Sequence, residues 1–371
     1  MRILLTGAHL TPALAMIDYI QEKHPKDELV FVGRLYSQEK LKQKAVEKTE
    51  IEKKGLKFIP FKAVKFIGNS GFSLLADILT FPQTVKRAKK ILRHEKIDVF
   101  LSFGSYLAVP SALAAKQLKI PIVTHEQTIA MGKANQFIAN LADRVAISFQ
   151  QTADYLKKED FILTGNPVRQ RLFAKDLKKP AYLPENLGKI ILVMGGNQGS
   201  FVINELVKKN LKFLLEKYTL VHQCGRANSL KNYPAELARL KSQLPPKLAK
   251  RYFIKEWIAE EDLFWLYQHA LFAISRAGAN SVLEFCLAPL PAILIPLPNT
   301  YNDEQQLNAE MMANAGGAII LPQNKISTKN FQAVVETLAK EAKLYRQALN
   351  EEKFYQQAEA KIYQLLIDVQ E

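Results

Sequence analysis

Short apolar runs alternate with longer amphipathic segments along the whole chain. Ile3–Leu5, Leu29–Val32 and Val99–Phe103 are three such runs, and a glycine follows each within two residues. Continuous apolar runs of this length predict strands buried on both faces of a parallel sheet, with helices between them. The same pattern predicts strands at 121–124, 144–147, 161–163, 190–194, 221–224, 252–254, 271–274 and 292–297. The chain is therefore predicted to have an α/β fold.

The strand, turn and helix that open the chain recur near its middle. Ile190–Met194 is followed by the glycine-rich turn Gly195–Ser200 and by a helix that starts near Phe201. The stretch before this second unit has prolines and few large apolar residues, which is typical of an interdomain linker. We predict domains at 1–164 and 188–345, a linker at 165–187, and a C-terminal helix at 346–371 that could pack across both domains.

Composition narrows the class of protein. The 371 residues are 48% hydrophobic and 23% charged, as in a globular protein of two ordinary domains. A net charge of +15 favours an anionic partner, either nucleotide, nucleic acid or acidic lipid. Cys224 and Cys286 cannot form a disulfide framework or zinc pattern, so we expect core residues in a reducing compartment. No apolar run is long enough for a signal peptide or a membrane span, which predicts a cytoplasmic or peripheral protein.

The stretch Ser275–Ala309 carries the clearest candidate chemistry. A predicted strand ends in the small-residue turn Arg276–Ser281, which opens a helix that carries Glu284. A helix N-terminus offers unpaired N–H groups to a phosphate, and a carboxylate can hold ribose hydroxyls. Further along, Gln305 and Gln306 offer amides to sugar hydroxyls. The stretch predicts a sugar-nucleotide site, although Glu284 could be only a helix-dipole partner and the two glutamines exposed amides.

Two other places offer polar groups after predicted strands. Gly195–Ser200 suits a phosphate but lacks the Gly-Lys-Ser/Thr ending of an ATPase loop, and it could be only a close strand–helix turn. In the first domain, His9, His125 and Glu126 fall where ligands bind in open α/β sheets. Imidazole titrates near neutrality and suits general-base work, although a lone histidine is often structural. No Asp-x-Asp metal pair occurs, and no metal is predicted.

Segment 62–96 combines large apolar residues with many cations. Lys62 and Lys65 precede or open an apolar stretch that runs to Phe81, and a basic cluster from Lys86 to Lys96 follows. An apolar patch rimmed by cations could dock on an anionic bilayer. A core helix followed by a solvated basic helix is the alternative.

Short motifs in a fixed order support a more specific hypothesis. They are TGAHLTPALA at 6–15, GSYLAVPSALAA at 104–115, IPIVTHEQ at 120–127, GNPVR at 165–169, GGNQGS at 195–200, HQCGR at 222–226, RAGANSVLE at 276–284 and DEQQLNA at 303–309. Together they resemble the MurG family of N-acetylglucosaminyltransferases from Thr6 to about Leu321. The resemblance implies a GT-B architecture, in which two Rossmann-like domains face a central cleft. It also implies transfer of N-acetylglucosamine from UDP-GlcNAc to an undecaprenyl-pyrophosphate-linked muramoyl-pentapeptide, from lipid I to lipid II, in peptidoglycan synthesis.

The resemblance also implies roles for individual residues. On the donor side these are Arg169, Asn197, Gln198, Gly199 and Ser200 for the diphosphate, the Ile258 backbone for uracil, Ala279, Asn280, Ser281, Val282 and Leu283 for phosphate and ribose, Glu284 for ribose hydroxyls, and Gln305 and Gln306 for sugar hydroxyls. From the first domain, Thr6, Gly7, Ala8 and His9, with Glu126, Gln127 and Thr128, would reach the donor or the acceptor.

The implied reaction is an inverting transfer without metal or cofactor. His9, or alternatively His125 or Glu126, would take the proton of the acceptor hydroxyl, and backbone amides would stabilise the UDP leaving group. Segment 62–96 matches the family's membrane-docking region, so we expect a peripheral enzyme on the cytoplasmic face of the cell membrane that binds no nucleic acid. Three alternatives stay open: a GT-B enzyme with another sugar nucleotide or acceptor, a UDP-GlcNAc epimerase, and a basic nucleic-acid-binding protein.

Overall fold

The computed structural model describes residues 1–6, 10–38, 43–44, 46–63, 72–157, 160–196, 199–226, 232–351 and 357–370. The chain forms two compact units, 1–170 with 355–371 and 171–354. The predicted linker at 165–187 is therefore divided between the two units, and the chain passes between them again near residue 354.

The first unit is built on a parallel sheet. Its elements are β1 (Arg2–Thr6), α1 (Leu10–Lys23), β2 (Glu28–Gly33), β3 (Tyr36–Gln38), β4 (Gln43–Lys44), α2 (Val46–Lys53), β5 (Lys57–Pro60), α3 (Phe72–His94), β6 (Val99–Ser102), α4 (Val109–Gln117), β7 (Ile122–Glu126), α5 (Lys133–Leu141), β8 (Arg144–Ile147) and β9 (Ile162–Leu163). Seven strands pair in the order β5-β2-β1-β6-β7-β8-β9, and β3 and β4 form a separate antiparallel pair. Every residue of β6 and β7 is buried, as in strands covered on both faces, although β7 ends in the polar residues Thr124, His125 and Glu126.

The second unit repeats this architecture. Its elements are β10 (Ile190–Met194), α6 (Phe201–Lys209), α7 (Leu211–Lys217), β11 (Thr219–Gln223), α8 (Tyr233–Ser242), α9 (Pro246–Ala249), β12 (Tyr252–Lys255), α10 (Glu260–His269), β13 (Phe272–Ser275), α11 (Ala279–Leu287), β14 (Ala292–Leu294), α12 (Glu304–Asn314), β15 (Ala318–Ile320) and α13 (Thr328–Glu351). Its six strands pair in parallel in the order β12-β11-β10-β13-β14-β15. The predicted α/β class is confirmed in both units.

The C-terminal region contains two helices that belong to different units. Phe331, Val335 and Leu338 of α13 are buried in the core of the second unit. The last helix, α14 (Ala358–Asp368), buries Ile362 and Leu366 in the core of the first unit. Each helix therefore stabilises one unit by covering its own apolar surface.

Each sheet has one point where the strand order reverses direction. In the first sheet this point lies between β1 and β6, and in the second it lies between β10 and β13. At this point the helices that follow the two neighbouring strands lie on opposite faces of the sheet. A crevice therefore forms at the carboxyl ends of those strands, where ligands of open α/β sheets bind. The turns after β1, β6, β10 and β13 are therefore the first places to look for a site.

No helix in the described ranges is both long enough and apolar enough to cross a bilayer. Of the predicted docking segment, residues 64–71 lie outside the described residues. The described part of α3 has two faces: Val85, Ala88 and Leu92 are buried in the core, while Leu79 is 75% exposed. Lys86, Arg87, Lys90 and Arg93 are also exposed.

Candidate functional site

The turn after β10 requires glycine for steric reasons. A Cβ on Gly195 would overlap the backbone nitrogen of Ser200, and a Cβ on Gly199 would overlap the carbonyl oxygen of Cys224. Gly199 also has a φ of 77°, a left-handed conformation that glycine adopts at little cost. Asn197 and Gln198 lie outside the described residues. At Gly199 the backbone therefore passes so close to the end of β11 that no side chain would fit between them.

Ser200 closes this turn and starts α6. Its hydroxyl oxygen accepts a hydrogen bond from the Ile203 N–H at 3.5 Å, as a helix N-cap, and another from Arg276 Nε at 2.9 Å. Arg276 also donates to the Ile295 carbonyl at 3.0 Å and to Gln323 Oε1 at 3.0 Å. Burial lowers the pKa of Arg276. This side chain, which the sequence interpretation did not place in the site, joins the ends of β10, β13 and β14.

The first turn of α11 is open to a ligand. Its N-cap, Gly278, supplies no capping side chain, so the first backbone N–H groups keep their positive potential. Asn280 has a buried Oδ1 with no hydrogen-bond partner among the described residues. Val282 and Leu283 are buried, and the Val282 N–H donates to the Gly278 carbonyl at 3.0 Å, so the open N–H groups of this turn are those of 279–281. An uncapped helix start at a switch point can bind an anionic group.

Glu284 lies one turn further along α11 and is 5% exposed. The hydroxyl of Tyr267, on α10, donates to Glu284 Oε2 at 3.0 Å. The carboxylate therefore has one oxygen fixed by a buried donor, which sets the orientation of the whole group. Sequence reasoning missed Tyr267, because it lies 17 residues before Glu284 on another helix and no local pattern pairs the two residues.

Ile258 and the two glutamines also make contacts within the protein. The Ile258 N–H donates to Gln223 Oε1 at 2.9 Å, and Gln305 Oε1 accepts from the Leu297 N–H at 3.0 Å. Gln306 Nε2 donates to Glu310 at 2.8 Å. Gln305 and Gln306 lie in the first turn of α12, directly after the predicted polar loop. Sequence reasoning missed Gln223, although a glutamine at the end of a buried strand is itself a signal for a site.

A buried hydrogen-bond network supports the glycine-rich turn from behind. His222 Nε2 lies 3.0 Å from Asn204 Oδ1, and its Nδ1 lies 2.9 Å from the Tyr252 hydroxyl. Asn204 Nδ2 donates at 2.9 Å to the carbonyl of Cys224, the group against which Gly199 packs. Burial lowers the pKa of His222 to about 3, so the imidazole is neutral at physiological pH.

In the first unit, the described part of the predicted site is a network of side chains. Glu126 Oε1 accepts from the Thr128 N–H at 3.0 Å and from the Thr128 hydroxyl at 2.7 Å, and Oε2 accepts from Asn135 Nδ2 at 2.9 Å. Gln127 is buried beside them. Gly7, Ala8 and His9 lie outside the described residues. Thr6, the last residue of β1, is buried, and its hydroxyl has no partner in the described ranges.

His125 is part of the same network. Its Nε2 lies 2.9 Å from the carbonyl oxygen of Gly165 and 3.2 Å from the hydroxyl of Ser148. A carbonyl can only accept, so Nε2 must carry a proton in this geometry. Ser148 in turn donates its own proton to the Glu126 carbonyl at 2.8 Å. His125 therefore connects the end of β7 to the two segments that contain Ser148 and Gly165.

Arg169 belongs to the first unit, unlike the residues with which the sequence grouped it. The loop before it is held by Glu359 of α14, whose Oε1 accepts from the Val168 N–H at 2.6 Å and whose Oε2 accepts from Gln170 at 3.3 Å. Burial raises the pKa of Glu359. Both cysteines are buried, as predicted, and burial raises the pKa of Cys224 to about 11.

Known proteins resemble this chain in sequence and in fold. The glycosyltransferase family 28 N-terminal domain matches residues 6–147, and the family 28 C-terminal domain matches residues 190–364. A Clostridium botulinum (strain Alaska E43 / Type E3) protein named UDP-N-acetylglucosamine--N-acetylmuramyl-(pentapeptide) pyrophosphoryl-undecaprenol N-acetylglucosamine transferase is 31% identical over 86% of this chain and 84% of its own.

Two solved structures match over nearly the whole fold. MurG of Acinetobacter baumannii matches with a TM-score of 0.70 and 22% identity over 99% of each chain. A UDP-GlcNAc 2-epimerase from Neisseria meningitidis, bound to UDP-GlcNAc, matches with a TM-score of 0.66 and 14% identity over 99% of this chain and 100% of its own.

Two α/β units with parallel sheets, and polar groups at the carboxyl edge of each sheet, define the GT-B class of glycosyltransferases, as the sequence predicted. The chain belongs to glycosyltransferase family 28 and, within it, to the MurG family.

Proposed function

We propose that this enzyme transfers N-acetylglucosamine from UDP-GlcNAc to a muramoyl-pentapeptide carried on undecaprenyl pyrophosphate, which converts lipid I to lipid II. The observation that carries this proposal is the open first turn of α11 at the switch point of the second sheet, with Glu284 in the same helix. This arrangement offers N–H groups to a diphosphate and a carboxylate to a ribose within a few residues. The Clostridium relative, whose name specifies this reaction, supports the choice of substrates.

On the donor side, the proposal gives each group one task. Backbone N–H groups of Ser200 and of 279–281 hold the diphosphate, while Glu284 accepts hydrogen bonds from ribose hydroxyls. Gly199, Val282 and Leu283 shape these two turns, since the N–H groups of Gly199 and Val282 are bound within them. Asn280 offers its buried amide oxygen to a donor on the sugar nucleotide. Ile258 faces the uracil through its backbone. Its N–H is bound to Gln223, so either Gln223 releases this N–H when uracil binds or the Ile258 carbonyl contacts the uracil instead.

Gln305 and Gln306 complete the proposed donor site by holding sugar hydroxyls. Gln305 keeps its side-chain N–H groups for this task, since its oxygen is bound to Leu297. Asn197, Gln198 and Arg169 are assigned to the diphosphate by their motifs. As the glycosidic bond to UDP breaks, fixed backbone donors stabilise the charge that develops on the leaving phosphate oxygen, at no cost in reorganisation.

For the acceptor, we assign proton removal to His9 and positioning to the Glu126 network. Glu126 has both oxygens occupied by three donors, and His125 is bound to Gly165 and Ser148. Groups held in this way shape the loop 126–130 rather than accept a substrate proton. Thr6, Gly7, Ala8, Gln127 and Thr128 are the remaining proposed contacts of this edge with donor or acceptor.

The lipid tail of the acceptor requires access to a membrane. We assign docking to segment 62–96, because the exposed Leu79 and the exposed cations of α3 lie on one helix. The chain would then act as a peripheral protein at the cytoplasmic face. Replacement of Lys86, Lys90 and Arg93 by glutamine should reduce binding to phosphatidylglycerol vesicles and leave UDP affinity unchanged.

One assay tests the proposed reaction. UDP release from UDP-GlcNAc is measured with lipid I, with lipid I that lacks the pentapeptide, and without acceptor. We expect release coupled to lipid II formation only when an acceptor is present. Formation of the 2-epimer without acceptor would favour an epimerase instead. His9→Ala should lower kcat by about 100-fold or more with a small change in KM for UDP-GlcNAc, since general-base catalysis contributes about that much; an unchanged kcat would rule out His9 as the base.

A further inference from the structure

The second unit has a cavity at the end of its sheet opposite to the proposed donor site. Lys189, Thr219 and Arg251 line it, and they lie at the amino ends of β10, β11 and β12. The proposed donor groups follow the carboxyl ends of the same sheet. A five-residue strand spans about 16 Å, so the two places are separated by the full length of the strands.

The cavity is strongly cationic. Its volume is about 690 Å³, and no aspartate or glutamate is among the described residues that line it. Six cationic side chains line it, namely Lys189, Lys217, Lys241, Lys247, Lys250 and Arg251. Lys217 is paired with Glu336 at 2.8 Å, and Arg251 donates to the carbonyl of Glu216 at 2.9 Å. The other four lysines form no ion pair with a carboxylate within the described ranges.

Aromatic rings orient some of these charges without neutralising them. Lys241 Nζ lies 5.6 Å from the ring centroid of Phe253, whose centroid lies 6.2 Å from that of Tyr182. Lys255, which is not among the residues that line the cavity, also lies over the Tyr182 ring, with Nζ 3.5 Å from the centroid. A ring face attracts a cation through its quadrupole and leaves the positive charge available. Desolvation lowers the pKa of Lys241, as expected for a partly buried ammonium group without a counter-ion.

An independent feature of the same wall also suggests a missing partner. The hydroxyl of Tyr182 is buried and has no hydrogen-bond partner among the described residues. A buried hydroxyl without a partner costs free energy, which a bound acceptor would recover. Four lysines without an ion pair therefore line the same cavity as Tyr182, whose buried hydroxyl has no partner among the described residues.

We propose that this cavity is a second anion site, which binds a ligand carrying two or more phosphate groups. Lysines act as compact point charges that suit phosphate oxygens spread over several positions. The volume lies in the range of small-molecule sites and could hold a chain of phosphates or a lipid phosphate headgroup. The site differs from the proposed donor site in position and in chemistry, since it uses ammonium groups where the donor site uses backbone N–H groups.

The test uses the full chain and inorganic tripolyphosphate as the probe in titration calorimetry. Lys241→Gln/Lys247→Gln/Lys250→Gln removes three charges from the cavity. Lys329→Gln/Lys340→Gln/Lys343→Gln removes three exposed charges from α13 of the same unit. We expect the cavity variant to bind at least about tenfold more weakly and the control less than about twofold, since both variants lose the same charge but only the first loses groups that line the cavity. Equal weakening in both variants would overturn the proposal, because net charge alone would then explain the binding.

A single-atom change gives a second measurement. Tyr182→Phe removes only the hydroxyl, which has no partner to lose, so folding should not suffer. We expect tripolyphosphate to bind about threefold to tenfold more weakly, the effect of one lost hydrogen bond. Unchanged affinity in both this variant and the cavity variant would contradict the proposal.

Vesicles of cardiolipin, whose headgroup carries two phosphate groups, and of phosphatidylcholine distinguish the two sources of phosphate. Loss of tripolyphosphate binding in the cavity variant, with vesicle binding retained, identifies a free phosphate ligand. Loss of vesicle binding in that variant, with no tripolyphosphate binding to the original chain, identifies a lipid headgroup. If neither binding depends on the cavity lysines, the site is refuted. UDP affinity is measured in parallel and should stay unchanged, so failure here leaves the proposed transfer reaction standing.

Discussion

The carboxyl edges of the two sheets are constructed in different ways. In the first unit, Glu126 accepts hydrogen bonds from Thr128 and Asn135, so the polar groups of this edge hold a loop in place. In the second unit, Gly195 and Gly199 bring the backbone close to β11, and α11 starts without a cap. One edge is a cross-linked network of side chains, and the other presents backbone groups that are still available to a ligand.

The difference in construction indicates which kind of ligand each edge can bind. Backbone N–H groups at helix starts have fixed positions and suit a diphosphate, which is the same in every sugar nucleotide. A side-chain network can be altered residue by residue, which suits an acceptor with many features to recognise. Substitutions should therefore act through sterics and stability at the second edge, and through loop geometry at the first.

The largest effect is expected where the backbone approaches most closely. Gly199→Ala should lower the free energy of unfolding of the second unit by about 3 to 5 kcal/mol, because its Cβ overlaps a carbonyl oxygen. Gly196→Ala is the matched control, with the same φ of 77° and nothing within 4 Å, and should cost about 1 to 2 kcal/mol. Both tryptophans lie in the second unit, so their fluorescence in urea measures this difference. Equal costs would show that backbone strain, rather than the overlap, decides.

The next effect concerns the side-chain network. Glu126→Gln should destabilise the loop by about 2 kcal/mol, because an amide then faces the Asn135 amide donor. If Glu126 positions the loop, kcat falls by about tenfold with no change in its pH profile, and Asn135→Ala gives the same result. Asn140→Ala, on the exposed face of the same helix, should have no effect. Loss of one limb of the pH profile in Glu126→Gln would instead identify Glu126 as the base.

A pH-dependent effect is expected behind the second edge. The folded-state pKa of His222 is about 3, below its ordinary value of 6.5, so between these values the unfolded chain binds a proton that the folded chain excludes. Stability contributed by neutral His222 is thus present above pH 6.5 and falls as the pH decreases, by about 1.4 kcal/mol per pH unit. Between pH 7 and pH 5 the free energy of unfolding, measured by tryptophan fluorescence, should fall by about 2 kcal/mol through this residue. The His222→Gln variant should lack this decrease. Parallel loss in both proteins would refute the assignment.

The smallest effect should come from the donor to Glu284. Tyr267→Phe removes one hydrogen bond, so UDP should bind about fivefold more weakly, with Glu284→Ala weaker still. Tyr345→Phe, a half-buried tyrosine on α13, is the control and should leave UDP affinity unchanged. Intact UDP affinity in Glu284→Ala would remove Glu284 from the donor site.

Much of the fold could be predicted because strands buried on both faces leave a direct record in the sequence. The predicted strands 144–147 and 190–194 coincide with β8 and β10. For 346–371 the sequence predicted one helix, whereas the structure has the end of α13 and the separate helix α14, which pack on different units. Amphipathic periodicity shows that a helix has a core-facing side but not which core that side faces. The division of the linker between the units likewise depends on contacts such as that of Glu359 with Val168, 191 residues apart.

The sequence by itself determined the two repeated α/β units, the glycines of the turn after β10 and the helix start that carries Glu284. These features depend on residues that are neighbours in the chain, so local steric and hydrophobic rules suffice. Only the tertiary structure decided that Arg276 joins Ser200 to Ile295, that Tyr267 orients Glu284 and that five lysines and one arginine line one cavity. The physical reason is that parallel pairing aligns the ends of strands distant in sequence, and contacts between such ends leave no local pattern.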